Sequence, residues 1–191
     1  DLSKSMLFSI EEAKEAILKL HQDAYRYRDK VGIVGLKDTG AVVVQHPITN
    51  LRVVANKLLR LRVSGFTPLA AGMLKAWEVL KEAKRRDNST IPVMVIITDG
   101  ETNVPLKRDL VTNEFRAFDR MDLAFFNYED SAVRDVISVS EMVKKEGIYT
   151  VVINTNPALA GPSTSGFLVT KIIAKITNGT HHEVAKHADK K

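Results

Sequence analysis

The clearest feature of the hydrophobic pattern is Val93-Met94-Val95-Ile96-Ile97, an unbroken and mostly β-branched apolar run that stops at Thr98-Asp99-Gly100. Such a run predicts a strand buried on both faces of a parallel sheet, with Asp99 delivered to its carboxyl end. In open α/β sheets ligands bind in the crevice at that end. Upstream, Ile10, Ala13, Ile17, Leu20, Ala24 and Tyr27 recur at spacings of three and four, which predicts one amphipathic helix over 10–28. Val31 to Leu36 and Ala41 to Val44 are short β-branched runs around Lys37-Asp38-Thr39-Gly40, the composition of a hairpin turn.

Residues 51–61 read as a helix with Asn50 as its N-cap, and 69–86 as another, opened by Pro68 and capped by Thr67. The segment 101–128 has no clean period and reads as a long loop near the Asp99 end of the sheet. Then come a helix over 131–145, a strand over 148–154, a Pro/Gly/Ser loop over 157–166, a helix over 167–177 ended by Asn178-Gly179, and a last strand over 180–184. The alternation predicts a three-layer, Rossmann-like α/β fold with a mostly parallel central sheet and one antiparallel edge strand. Right-handed crossovers place helices on both faces. A strand is also expected immediately before the first helix, between the strands at Val31 and Val93, yet Asp1 opens a loop. The chain therefore reads as one domain over 1–191 that lacks its first strand before Asp1.

Composition narrows the function classes. The 191 residues fit one domain, and the absence of cysteine excludes disulfides, thiolate metal sites and cysteine nucleophiles. No apolar run approaches the roughly 20 residues of a membrane helix, and no signal-peptide pattern opens the chain, which together fit a cytoplasmic protein. The net charge of +5 is spread along the sequence. Its densest stretches, Lys81 to Arg86 and Lys186 to Lys191, carry no interleaved aromatics, so they read as a solvated face or a surface for an acidic partner and not as a nucleic-acid site.

Candidate chemistry lies in three segments. Asp1, Ser3 and Ser5 form D-x-S-x-S, whose alternation in an extended loop can point a carboxylate and two hydroxyls the same way. Thr67 adds a hydroxyl and Asp99 a second carboxylate. An all-oxygen set of this kind is what a hard cation prefers, and Mg²⁺ needs only a partial protein shell because it retains waters. Singly, each residue also fits a cap or a turn. Together, two carboxylates at the ends of adjacent strands repel unless a cation or proton lies between them.

Asp1-Leu2-Ser3-Lys4-Ser5, Gly65-Phe66-Thr67-Pro68-Leu69 and Thr98-Asp99-Gly100-Glu101 resemble the metal-ion-dependent adhesion site of the von Willebrand factor A family, matching all five positions of its motif. The stretches 64–72, 25–31 and 98–104 are similar to the C-terminal module of the D subunits of magnesium chelatases and their cobalt-chelatase-like relatives. The resemblance implies a Mg²⁺ ion, with Mn²⁺ as a substitute, held directly or through water by Ser3, Ser5 and Thr67, with Asp1 and Asp99 as ligands or acceptors. A carboxylate arriving from a partner protein completes the shell. In a chelatase of tetrapyrrole biosynthesis that partner is the ATP-hydrolysing I subunit or the large H subunit.

Other readings carry less weight. There is no G-x-x-x-x-G-K-[ST] loop, so nothing here binds ATP in the P-loop manner. A Mg²⁺-dependent phosphohydrolase with an aspartyl nucleophile wants a second acid two residues after the first, where Ser3 stands. No catalytic residue is assigned. A module of an adhesion protein, or one beside a MoxR-type ATPase, keeps the same site in a different setting. His181 and His182 are adjacent and point to opposite faces of a strand, which together with His187 in a charged tail argues against a histidine metal site. Trp77 sits at helical spacing from Met73, Leu74 and Leu80 and reads as core.

Overall fold

The computed structural model describes residues 27–37, 39–50, 52–53, 56–57, 66–108, 115–117, 129–155 and 165–184. In chain order these form β1 (Val31–Lys37), β2 (Gly40–Ile48), α1 (Leu69–Arg86), β3 (Val93–Thr98), β4 (Leu106–Arg108), β5 (Phe115–Ala117), α2 (Glu129–Lys145), β6 (Tyr149–Asn154), α3 (Ser165–Thr177) and β7 (Thr180–Glu183). Strands β3, β6 and β7 make a parallel sheet in that spatial order, and β1 pairs antiparallel with β2. The helix predicted over 10–28 lies outside the described residues, apart from its last two positions. Tyr27, counted in that helix's apolar stripe, is exposed. Of the helix expected over 51–61, the described positions 52–53 and 56–57 are helical.

The parallel sheet follows from the apolar runs. Met94, Ile96 and Thr98 of β3 stand opposite Thr150, Val152 and Asn154 of β6 in register, and these six form one fully covered face. The prediction that β3 is buried on both faces needs correction, because Val93 is exposed and Val95 and Ile97 are only half-buried. The strand alternates in burial, as a half-covered strand does.

Three helices share a core with the covered face. From α2 come Val136, Val139 and Val143 at spacings of three and four, and from α3 Val169, Ile173 and Ala174. The first helix packs on β1, β2 and β3, so it joins the hairpin to the parallel sheet. Gly72 makes that approach possible: a Cβ built on it would lie 1.8 Å from Leu36 Cδ2. Among the described residues no helix is long and apolar enough to cross a membrane.

Two further expectations are revised. The supposed loop over 101–128 contains the antiparallel pair β4–β5, whose three-residue strands are too short to show a period. The cap position of α1 is occupied by Pro68 and not by Thr67, and no side chain caps the helix. The first turn is closed instead by the Gly72 N–H donating to the Pro68 carbonyl at 3.0 Å. That leaves Thr67 outside the helix, one residue before the cap.

Candidate metal centre

At the carboxyl end of the sheet the covered face turns polar. Thr98 and Asn154 pair in register and are both fully buried, and the Thr155 N–H donates to the Thr98 carbonyl at 3.1 Å. The chain then reverses. Gly100 adopts φ 80°, a left-handed conformation that glycine takes without steric cost. The Gly100 N–H donates to Thr98 Oγ1 at 3.0 Å, and the Glu101 N–H to Asp99 Oδ1 at 3.1 Å, so side-chain oxygens close the turn.

This turn holds the Asp99 carboxylate below the surface, at 6% exposure. Its second oxygen, Oδ2, is buried and has no hydrogen-bond partner among the described residues. An unpartnered buried carboxylate oxygen is costly unless a proton or cation offsets it. Thr102 Oγ1, three residues on, is in the same condition.

The loop continues to Asn103, which reaches back to the second candidate segment. The Thr67 N–H donates to Asn103 Oδ1 at 2.9 Å, and the Asn103 N–H donates to the Thr67 carbonyl at 3.4 Å. Thr67 is thereby fixed on both sides of its peptide backbone, with 1% exposure. Two of the three segments singled out in the sequence are therefore tied together, Thr67 to the loop that follows Asp99. The third, with Asp1, Ser3 and Ser5, lies outside the described residues. Around the buried pair, Phe66, Glu101 and Asn103 are exposed.

The donors present fit a hard divalent ion. Asp99 would supply a carboxylate oxygen with no partner among the described residues, and Thr67 a hydroxyl on a clamped backbone. Both are oxygen donors, the type that Mg²⁺ and Mn²⁺ take. Thr102 and Asn103 were not singled out in the sequence. Their signal is a pair of short polar residues that follow T-D-G-E, a composition typical of turns.

Beyond Asn103, the Leu106 N–H donates to Asp135 Oδ2 of α2, which anchors the far end of the loop. Burial pushes the Asp135 carboxyl above its usual range, against the opposing effect of that N–H.

The other residues weighed in the sequence have structural surroundings. His181 Nε2 lies 3.0 Å from Thr170 Oγ1, and burial lowers the pKa of its ring. His182, next along the strand, is exposed, and His187 lies outside the described residues. Trp77 packs on the edge of the core with the Lys81 ammonium 4.3 Å from its ring centroid.

Residues 1–101, more than half of the chain, match the family described as von Willebrand factor type A domain. The chain belongs to that family. Over 78% of its length it is 30% identical to an uncharacterized protein of Methanocaldococcus jannaschii, of which it covers 72%. It is 29% identical over 81% of its length to the magnesium-chelatase 67 kDa subunit of Chlorobaculum tepidum. The 60 kDa subunit of Rhodobacter capsulatus is 30% identical over 78% of this chain. The type A domain spans about a quarter of those chelatase subunits, 23% and 24% of their lengths. Solved structures agree on the fold. The VWA domain of SpRpn10 superposes with a TM-score of 0.61 at 11% identity, covering 99% of this chain and 86% of that one. The pilus adhesin SpaC of Lactobacillus rhamnosus GG gives 0.67 at 14% identity, covering 97% of this chain and 27% of the adhesin.

Proposed function

We propose that this type A domain is a Mg²⁺-dependent docking module of a chelatase D-type subunit, in which Asp1, Ser3, Ser5, Thr67 and Asp99 hold the ion and a partner protein supplies a carboxylate. The observation that carries the proposal is the buried Asp99 Oδ2, which has no hydrogen-bond partner among the described residues, on a loop bonded to Thr67. The likeness to magnesium-chelatase subunits supports the setting, and the oxygen-only donor set supports the ion.

When bound, Mg²⁺ supplies a centre of positive charge that attracts an incoming carboxylate. The chain's own residues prepare that encounter. Asp99 presents one oxygen while the Glu101 N–H holds the other. Thr67, excluded from the helix cap, keeps its side chain out of the α1 hydrogen-bond pattern. Phe66, 44% exposed beside it, offers an aromatic contact of the kind enriched at protein interfaces. The I-type or H-type subunit of a tetrapyrrole chelatase is the proposed partner, in the cytoplasm, with metal insertion taking place outside this domain.

The test is binding of purified I-type and H-type subunits to the intact protein in Mg²⁺ and in EDTA. Binding lost in EDTA and in Thr67→Ala, with circular dichroism unchanged, is the expected result. Binding indifferent to both contradicts the proposal, and Mg²⁺-dependent phosphatase turnover lost in Asp1→Ala favours a hydrolase instead.

A further inference from the structure

The reciprocal bonding between Thr67 and Asn103 is more than loop closure. Thr67 has no helical hydrogen bonds to orient it, because α1 begins at Leu69 and Pro68 takes the cap position. Its backbone is held instead by a two-point clamp from a residue four positions after Asp99. One arm, from Thr67 N–H to Asn103 Oδ1 at 2.9 Å, depends on the Asn103 side chain; the other is main chain to main chain. Asn103 is exposed, so that side chain is not there to fill the core.

We propose that Asn103 is a positioning residue of the metal centre: its side-chain amide oxygen fixes the Thr67 backbone relative to the Asp99 turn, and so sets the separation of the two oxygen donors. The proposal rests on the metal-centre reading above. A small ion with strict geometry is sensitive to such a separation, and loss of a group that orients a ligand commonly weakens metal affinity by about 10–100-fold. Asn103→Ala removes the acceptor. Asn103→Asp keeps an oxygen at the same place, and Asn103→Gln moves the amide outward by one methylene.

The experiment measures the thermal midpoint of the intact protein without metal and at a series of Mn²⁺ concentrations. Mn²⁺ affinity is followed in parallel by the loss of its free electron paramagnetic resonance signal. A ligand that binds only the folded state raises the midpoint according to its affinity, so the metal-induced increment reports the site separately from the stability of the apo fold. Thr67→Ala serves as the reference for a lost site.

The expected result is that Asn103→Ala and Asn103→Gln each weaken Mn²⁺ binding at least about tenfold and shrink the increment, while Asn103→Asp stays within about threefold of the unsubstituted protein. If Asn103→Ala lowers the apo midpoint but keeps the full increment, while Thr67→Ala loses it, Asn103 is structural only. The positioning role is then wrong and the metal centre stands. If the unsubstituted protein shows no increment and no change in the Mn²⁺ signal, the metal centre itself fails. Should Asn103→Ala not fold, the contrast between Asn103→Asp and Asn103→Gln decides the question.

Discussion

Gly72 of α1 lies against Leu36 of β1 so closely that any side chain at 72 would occupy the space of the leucine: an added Cβ would sit 1.8 Å from Leu36 Cδ2. The hairpin and the parallel sheet both pack on α1, and this contact is part of what holds the start of that helix, four residues after Pro68, in place. Gly72→Ala is expected to destabilise the domain by about 1–3 kcal/mol through overpacking, despite the better helix propensity of alanine. Chemical denaturation checks this. Leu36→Ala in the same chain should recover part of the loss, because it removes the side chain that clashes.

Asp135 separates a hydrogen-bonding role from a charge. Its carboxylate accepts from the Leu106 N–H, while burial raises its pKa, so the ionised form is disfavoured in the folded state. A raised folded pKa contributes stability that is complete below the unfolded value and lost as pH rises through the folded one. Asp135→Asn keeps an acceptor without the charge and should be as stable as the parent, or more so, at pH 7. Asp135→Ala leaves the Leu106 N–H unpaired and should cost about 1 kcal/mol. Urea midpoints of the two variants at pH 7 make the comparison.

His181 gives the opposite pH dependence. Burial lowers its folded-state pKa below the ordinary histidine value, so the unfolded chain binds the proton more readily. Its contribution to stability is present above about pH 6.5 and falls away as pH drops through the lowered pKa. The thermal midpoint should fall on acidification below that point, and the fall should be shallower in His181→Gln. Equal slopes in the two proteins would show that other groups account for it.

Phe66 separates docking from metal binding. It is 44% exposed directly before the buried Thr67, so Phe66→Ala removes surface without opening the core. Partner affinity should drop by about tenfold or more, as for an exposed aromatic at the centre of an interface, with Mn²⁺ affinity unchanged. Calorimetric titrations of the ion and of the partner distinguish the two effects.

The parts of this domain legible in the sequence are those where local pattern and tertiary environment agree. The β3 run, the apolar stripes of α2 and α3, and the β1–β2 pair carry their own signals, and the elements appear where those signals place them. The turn at Asp99 was legible because T-D-G after an apolar strand specifies it locally. The partner of Thr67 was not: Asn103 is 36 residues away, and only the folding back of the loop brings its amide to the Thr67 N–H. Thr67 looked like a helix cap because threonine before proline suits that role, but Pro68 itself takes the cap position. The β4–β5 pair escaped for a different reason, since strands of three residues leave no periodicity to detect.

The central claim is that oxygens from distant segments enclose one divalent ion beside Asp99. Crystals of the intact protein grown with Mn²⁺ and measured at the manganese absorption edge test it directly. One anomalous peak is expected at the carboxyl end of β3, with Thr67 and Asp99 oxygens at about 2 Å or bridged by water, and the Asp1, Ser3 and Ser5 side chains completing the protein's share of the shell. No peak at that position, or a lysine ammonium occupying it against Asp99 Oδ2, would contradict the account.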